Sequence, residues 1–258
     1  MFIVNPYFFG APPWTPLDIA DCMLWLDGDD PATITMGTAL KVAAWQDKSV
    51  SALSFEQAAS GIQPNLNTSI YTRPCLDFEP GAGVFRLVSV GTVAIPADHT
   101  VFLAANWNRN TRTGGYGSLG LQRGEATNAL SAGTNAYWSI VRGGAGSAGG
   151  WQALMEPSGG DYAYEAAFGT YAANSKTIST FTIAGTLASA TLDVGGVSKT
   201  LTTAGGPTWT PPSGTLLVGA SDTTYQPEGS IAEVIMYSRV LTAPEIATVQ
   251  AYLAAKWV

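Results

Sequence analysis

From Cys22 to Tyr237 the chain is a succession of short apolar runs separated by turn residues, and this punctuation restricts the fold more than any other feature. The runs are Cys22–Asp27, Leu40–Gln46, Cys75–Phe78, Val84–Val88, Thr100–Trp107, Ala136–Val141, Ser179–Ala184, Ser189–Val194, Thr215–Gly219 and Ile231–Tyr237. Each has the length of a strand and is too short for a stable helix. Thr180, Thr182, Thr191 and Asp193 alternate with apolar neighbours, as half-buried antiparallel strands require. Val194-Gly195-Gly196-Val197 reads as a tight hairpin, because two glycines supply the positive φ of a primed turn. Two glycine-rich stretches, 111–120 and 143–150, lack the Lys-Ser/Thr ending of a phosphate loop and read as flexible loops. Only the end of the chain breaks the rhythm. Thr242 and Glu245 make a capping box, Pro244 is tolerated in the first turn, and Ile246, Val249, Leu253 and Trp257 recur at helical spacing. The spacing predicts an amphipathic helix over 243–256 that lies on a sheet. The fold class is therefore all-β, a two-sheet antiparallel sandwich with one C-terminal helix, and 258 residues suit a single domain of that kind.

The first residues differ from the rest. Residues 1–17 form an extended arm with Phe2, Tyr7, Phe8, Phe9 and Trp14 in a chargeless stretch that prolines keep from being helical, and the sandwich occupies 18–258. The arm either packs along its own domain or docks on a partner subunit, since so much apolar surface is seldom left in water. It has no Lys or Arg before its apolar stretch and four prolines interrupt it, so it does not read as a signal peptide. No apolar run reaches the roughly 18 residues that span a membrane.

Charge sets the class of partner. Only 12% of residues are charged, about half the usual share, and the net charge is −7. Nucleic acid is excluded as a partner, because the 12 basic residues are scattered and only Arg109 and Arg112 come close to a pair. A surface of Ser, Thr, Asn, Gly and aromatics suits sugars or other protein subunits. The 2 cysteines, Cys22 and Cys75, lie in strand-like runs and read as buried thiols; a disulfide between them requires neighbouring strands.

Several stretches carry a resemblance. Leu24-Trp25-Leu26-Asp27 followed by Trp45-Gln46-Asp47-Lys48-Ser49 resembles the opening of laminin-G-like members of the concanavalin A-like lectin/glucanase superfamily. Arg73-Pro74-Cys75-Leu76-Asp77-Phe78 is similar to the strand that follows there. The closing stretch, Leu217–Ala220, Gly229–Tyr237 and Leu241-Thr242 with the capped helix, follows the family's ending most closely. The resemblance covers most of the chain beyond residue 20, more loosely over 110–175. It implies a jelly roll of two curved antiparallel sheets. Members include lectins, glycanases, adhesion domains and phage virion decorations, and many bind Ca²⁺ at a loop rim, so the fold does not fix the function.

Catalysis finds little support in the residues. The Glu-x-Asp-x-x-Glu strand of glycanases with this fold is missing, and Glu156, Asp161 and Glu165 have the wrong spacing. The sole histidine, His99, has no nucleophile signature beside it and reads as structural or exposed. Asp27, Asp29 and Asp30 crowd one turn, which is either solvated or a Ca²⁺ loop. Binding remains. Sugars need aromatic faces with Asn, Asp and backbone groups around them, and Trp151, Tyr116, Tyr162, Asn108 and Asp161 supply these. Trp151 follows a glycine loop outside any clear strand and is expected to be exposed; Trp107 and Trp138 read as core. The expected function is a non-enzymatic virion accessory protein of a phage tail or capsid. It would be homo-oligomeric, joined to other virion proteins through the arm, and touch host-surface polysaccharide. The alternatives are a purely structural virion subunit and, lower, a glycan hydrolase.

Overall fold

The computed structural model describes residues 14–78, 85–107, 119–123, 137–142, 151–156, 162–164, 175–204, 211, 213–220 and 229–258. Two large antiparallel sheets face each other. The first runs, strand by strand, Val197–Thr200, Thr191–Val194, Ser175–Ala184, Asp98–Trp107, Gly229–Tyr237, Cys75–Phe78 and Asn65–Asn67. Cys22–Asp27 also pairs with Gly229–Tyr237, end to end with Cys75–Phe78. The second runs Thr202–Ala204, Tyr162–Tyr164, Trp151–Glu156, Tyr137–Arg142, Leu119–Arg123, Leu216–Ala220, Arg86–Ser89, Ser54–Glu56, Val42–Gln46 and Ile34–Met36. A small pair, Val93–Ala94 with Ser213–Gly214, stands apart. The sandwich read from the sequence is the observed fold.

The sheets meet along both sides. On one, Val42 N–H bonds Pro64 O and Leu66 N–H bonds Leu40 O, each at 2.8 Å. On the other, the chain passes from one sheet to the next at Leu201. Between them lies an apolar core that includes Leu24, Trp45, Phe55, Phe78, Leu103, Phe181, Val218 and Val234, each at most 1% exposed. Burying each such side chain contributes roughly 1.5–3 kcal/mol.

The single α-helix among the described residues, Ala243–Trp257, covers the outer face of the first sheet. Val249, Leu253 and Trp257 press on Phe102, Ala104, Ile235 and Tyr237. The capping box forms, with Glu245 Oε2 accepting from Thr242 N–H at 2.8 Å. The Arg239 guanidinium and those cap bonds hold the Glu245 carboxyl down at about 2. Gly195 and Gly196 take φ of 59° and 86°, so the Val194–Val197 hairpin turns as its sequence dictates.

Some expectations change. Trp151 is the first residue of the strand Trp151–Glu156, paired with Arg142, rather than a loop residue. A glycine run beside it gave no strand signal, and pairing with Tyr137–Arg142 supplied the order. Leu119 and Gly120, at the end of the first glycine-rich stretch, likewise belong to a strand. His99 is buried, donates from Nδ1 to Pro96 O at 2.8 Å, and lies against Phe181. Burial pushes its pKa down to about 4. Cys22 and Cys75 are buried, free thiols, each pushed up to about 12 by burial.

Candidate functional site

Two regions stand out, one on the first sheet and one at an end of the sandwich. The first is a charged seam under the helix, and a bulge creates it. Along Gly229–Tyr237 the register against Asp98–Trp107 shifts between Ile231 and Glu233. The extra residue puts Ala232 and Glu233 on the same outer face, whereas strict alternation would send Glu233 into the apolar core. Glu233 has no exposed surface, and four donors satisfy its carboxylate. Trp25 Nε1 and Tyr252 OH reach Oε1 at 2.7 and 2.9 Å. Trp257 Nε1 and Lys256 Nζ reach Oε2 at 2.7 and 2.9 Å.

Asp27 stands directly across from Glu233 in the neighbouring strand. Like charges in that position repel, and Lys256 Nζ relieves the repulsion by bonding Asp27 Oδ1 at 2.6 Å as well. Lys48 closes the other side, 3.1 Å from Asp27 and 2.7 Å from Asp30, with its ammonium 4.1 Å from the Trp25 ring centroid. Asp29 pairs with Arg73. Burial pushes the Glu233 carboxyl above its ordinary range, and Lys256 opposes the push.

This arrangement does not fit Ca²⁺. The acids of the turn are each met by an ammonium or guanidinium of the chain itself, which does what a cation would do. Among the described residues no group of three or more His, Cys, Asp or Glu side chains is placed to hold a metal ion. Nor can Glu233 act as a general acid or base here, because its oxygens are filled by protein donors and closed to a substrate.

The second region is one end of the sandwich. Phe78, Gly229, Trp107 and Ser175 lie opposite one another there in the first sheet. Leu119 pairs with Ala220, and Arg142 with Trp151, at the same end of the second. The strands Cys75–Phe78, Asp98–Trp107 and Leu216–Ala220 end at this point, and Leu119–Arg123, Trp151–Glu156 and Gly229–Tyr237 begin there. Asn108, Tyr116 and Asp161 lie outside the described residues. Tyr162 opens a strand that pairs with Trp151–Glu156 so that Leu154 faces Tyr164, which sets Tyr162 at the opposite end from Trp151.

Of the arm aromatics, Phe2, Tyr7, Phe8 and Phe9 lie outside the described residues. Trp14 packs on Tyr252 of the chain's own helix, ring centroids 5.2 Å apart, and Pro16 O accepts from Tyr237 OH at 2.9 Å. Sequence reasoning passed over Glu233 and Lys256. The available signal was a lone acid inside the apolar run Ile231–Tyr237.

No protein-family model matches the chain, and no curated protein is similar to it by sequence. Solved structures share its fold. The chain superposes on a botulinum neurotoxin type C structure, whose cell entry is described as dependent upon interaction with two ganglioside molecules, with TM-score 0.60 and 10% identity over 90% of this chain and 51% of that one. The botulinum neurotoxin serotype D ligand binding domain in complex with N-acetylneuraminic acid gives 0.57 and 12%, with the same coverage of 90% and 51%. A Trypanosoma rangeli sialidase gives 0.51 and 13%, covering 91% of this chain and 34% of its own. The chain spans about half the length of the neurotoxin domains, and at these identities the likeness is one of fold.

Proposed function

We propose that this chain is a non-catalytic carbohydrate-binding domain that meets its glycan at the end of the sandwich where Trp151 begins its strand. The observation that supports the reading is the strand order at that end, where Trp151 pairs with Arg142 and the strand of Arg142 runs beside Leu119–Arg123. A charge-poor, aromatic-rich composition suits neutral hydroxyls and sugar faces. The fold likeness to domains described with ganglioside or N-acetylneuraminic acid supports the same class of ligand.

The closed environment of Glu233 supports the absence of hydrolysis through that carboxylate, and the sialidase likeness, being one of fold, does not weigh against it. Placement on a phage virion, as an oligomer attached through residues 1–17, belongs to this proposal and rests on the chargeless aromatic arm alone. A structural subunit without sugar binding is the second reading, favoured by the low charge, which suits subunit contacts equally well.

Binding of the purified chain to a panel of bacterial surface polysaccharides, with and without Ca²⁺, tests the reading. Saturable binding is expected, unaffected by Ca²⁺, and Trp151→Ala weakens it about tenfold or more, equivalent to about 1.4 kcal/mol. A folded protein that binds nothing on the panel leaves the structural subunit as the conclusion.

A further inference from the structure

One residue in from the same end, the outer face of the first sheet carries a polar row that the sequence did not announce. Asp77 pairs with Ser230, Ser230 with Asn106, and Asn106 with Lys176, across four adjacent strands. At about 4.8 Å between strands the row is about 14 Å long. Three of its members are buried: Ser230 fully, and Asn106 and Asp77 each 2% exposed. Ser230 Oγ donates to Asp77 Oδ1 at 2.9 Å and Asn67 Nδ2 to Asp77 Oδ2 at 3.1 Å. At the other end Lys176 is exposed, its ammonium 5.1 Å from the centroid of the Tyr71 ring.

Two groups here are unfinished. Asn106 Oδ1 is buried without a donor, and the hydroxyl of Tyr71, a residue 3% exposed, has no partner. Leaving a buried polar group unpaired costs about 1–3 kcal/mol, so a folded chain that keeps two invites an explanation. Lys176 has no carboxylate partner among the described residues, in a chain where acids outnumber Lys and Arg by 19 to 12.

We propose that Lys176, Tyr71 and Asn106 form a subsite for a carboxylate-bearing glycan. Lys176 takes the carboxylate, held in place by the Tyr71 ring. Asn106 Oδ1 and the Tyr71 hydroxyl supply an acceptor and a donor to the ordered water that links the sugar's hydroxyls to the row. The inference rests on the carbohydrate-binding reading and adds a ligand class to it.

The test compares the full chain with Lys176→Met and Asn106→Leu on sialylated or uronate-containing polysaccharides and on neutral ones. The wild type is expected to prefer the acidic glycans. Lys176→Met should lose at least tenfold on those and nothing on the neutral ones. Asn106→Leu removes an unpaired carbonyl, so its Tm should hold or rise while acidic binding weakens. A Lys176→Met variant that binds acidic glycans like the wild type overturns the subsite, as does a fall in Tm with intact binding for Asn106→Leu. Lys176 is exposed, so its variant carries the test even where Asn106→Leu fails to fold. Wild-type binding confined to neutral glycans overturns the subsite and leaves carbohydrate recognition standing; no binding to any glycan removes both.

Discussion

The strand Gly229–Tyr237 serves two regions of opposite character. At Glu233 a buried carboxylate has a donor for every need: two indoles, a phenol and an ammonium, three of them from the helix. Three residues earlier, at Ser230, the strand joins a row whose next member, Asn106, keeps a buried carbonyl unpaired. Both sit on the same face of the same sheet. The difference teaches how each is used. A fully satisfied polar cluster specifies one docking position for the helix, since any shift strands a buried charge. An incompletely satisfied one costs stability, and the subsite proposed above would account for that cost.

The largest expected effect breaks the satisfied side of this comparison. Glu233→Ala leaves two indole N–H groups and the Tyr252 hydroxyl facing an empty space and takes one of the two buried carboxylates from Lys256. A loss of about 3–5 kcal/mol is expected in chemical denaturation, as for other broken buried pairs. A loss below 1 kcal/mol would show that the helix is held by its apolar face alone.

A second buried titrating group, in the neighbouring strand, gives the comparison a pH axis. His99 stays neutral in the folded state because burial lowers its pKa from 6.5 to about 4. The unfolded chain takes up the proton first as pH falls, so the contribution is complete above about pH 6.5 and is lost progressively down to pH 4. The difference corresponds to about 3 kcal/mol. Denaturation curves of wild type and His99→Asn across that window should diverge in slope. Parallel curves would mean that His99 is hydrated in the folded state.

The smallest effect concerns the bulge that separates the two regions. Gly28 N–H bonds Ala232 O at 2.9 Å, and a Cβ on Gly28 would approach that oxygen to 2.8 Å. Gly28→Ala is expected to cost about 1–3 kcal/mol through this overpacking. Its apparent helix docking, read from Trp257 fluorescence, should loosen with it; an unchanged stability would mean the bulge yields without strain.

Much of the fold was legible because it is written in local patterns. The Gly195-Gly196 hairpin needs only positive φ, the Thr242–Glu245 box only a neighbour three residues away, and Cys22–Asp27 and Cys75–Phe78 coincide with their apolar runs. Strands such as Ile34–Met36, Ser54–Glu56 and Asn65–Asn67 were not legible, because three half-exposed residues carry no period and owe their order to the strands beside them. Trp151 and Tyr162 were legible as candidate aromatics, but not their places: they are near in sequence, yet the intervening strand carries them to opposite ends.

The sequence by itself determined an all-β chain with one capped helix, a single apolar face on that helix and a surface poor in charge, because these follow from spacing and composition. Only the tertiary structure decided that Glu233 leaves the core through a bulge, that Lys256 comes to stand between it and Asp27, and that Asp77, Ser230, Asn106 and Lys176 share one row. Those contacts join residues far apart in the chain, and a shift of one residue in strand register turns a side chain to the other face. No local pattern encodes that choice; it is made when the strands pair.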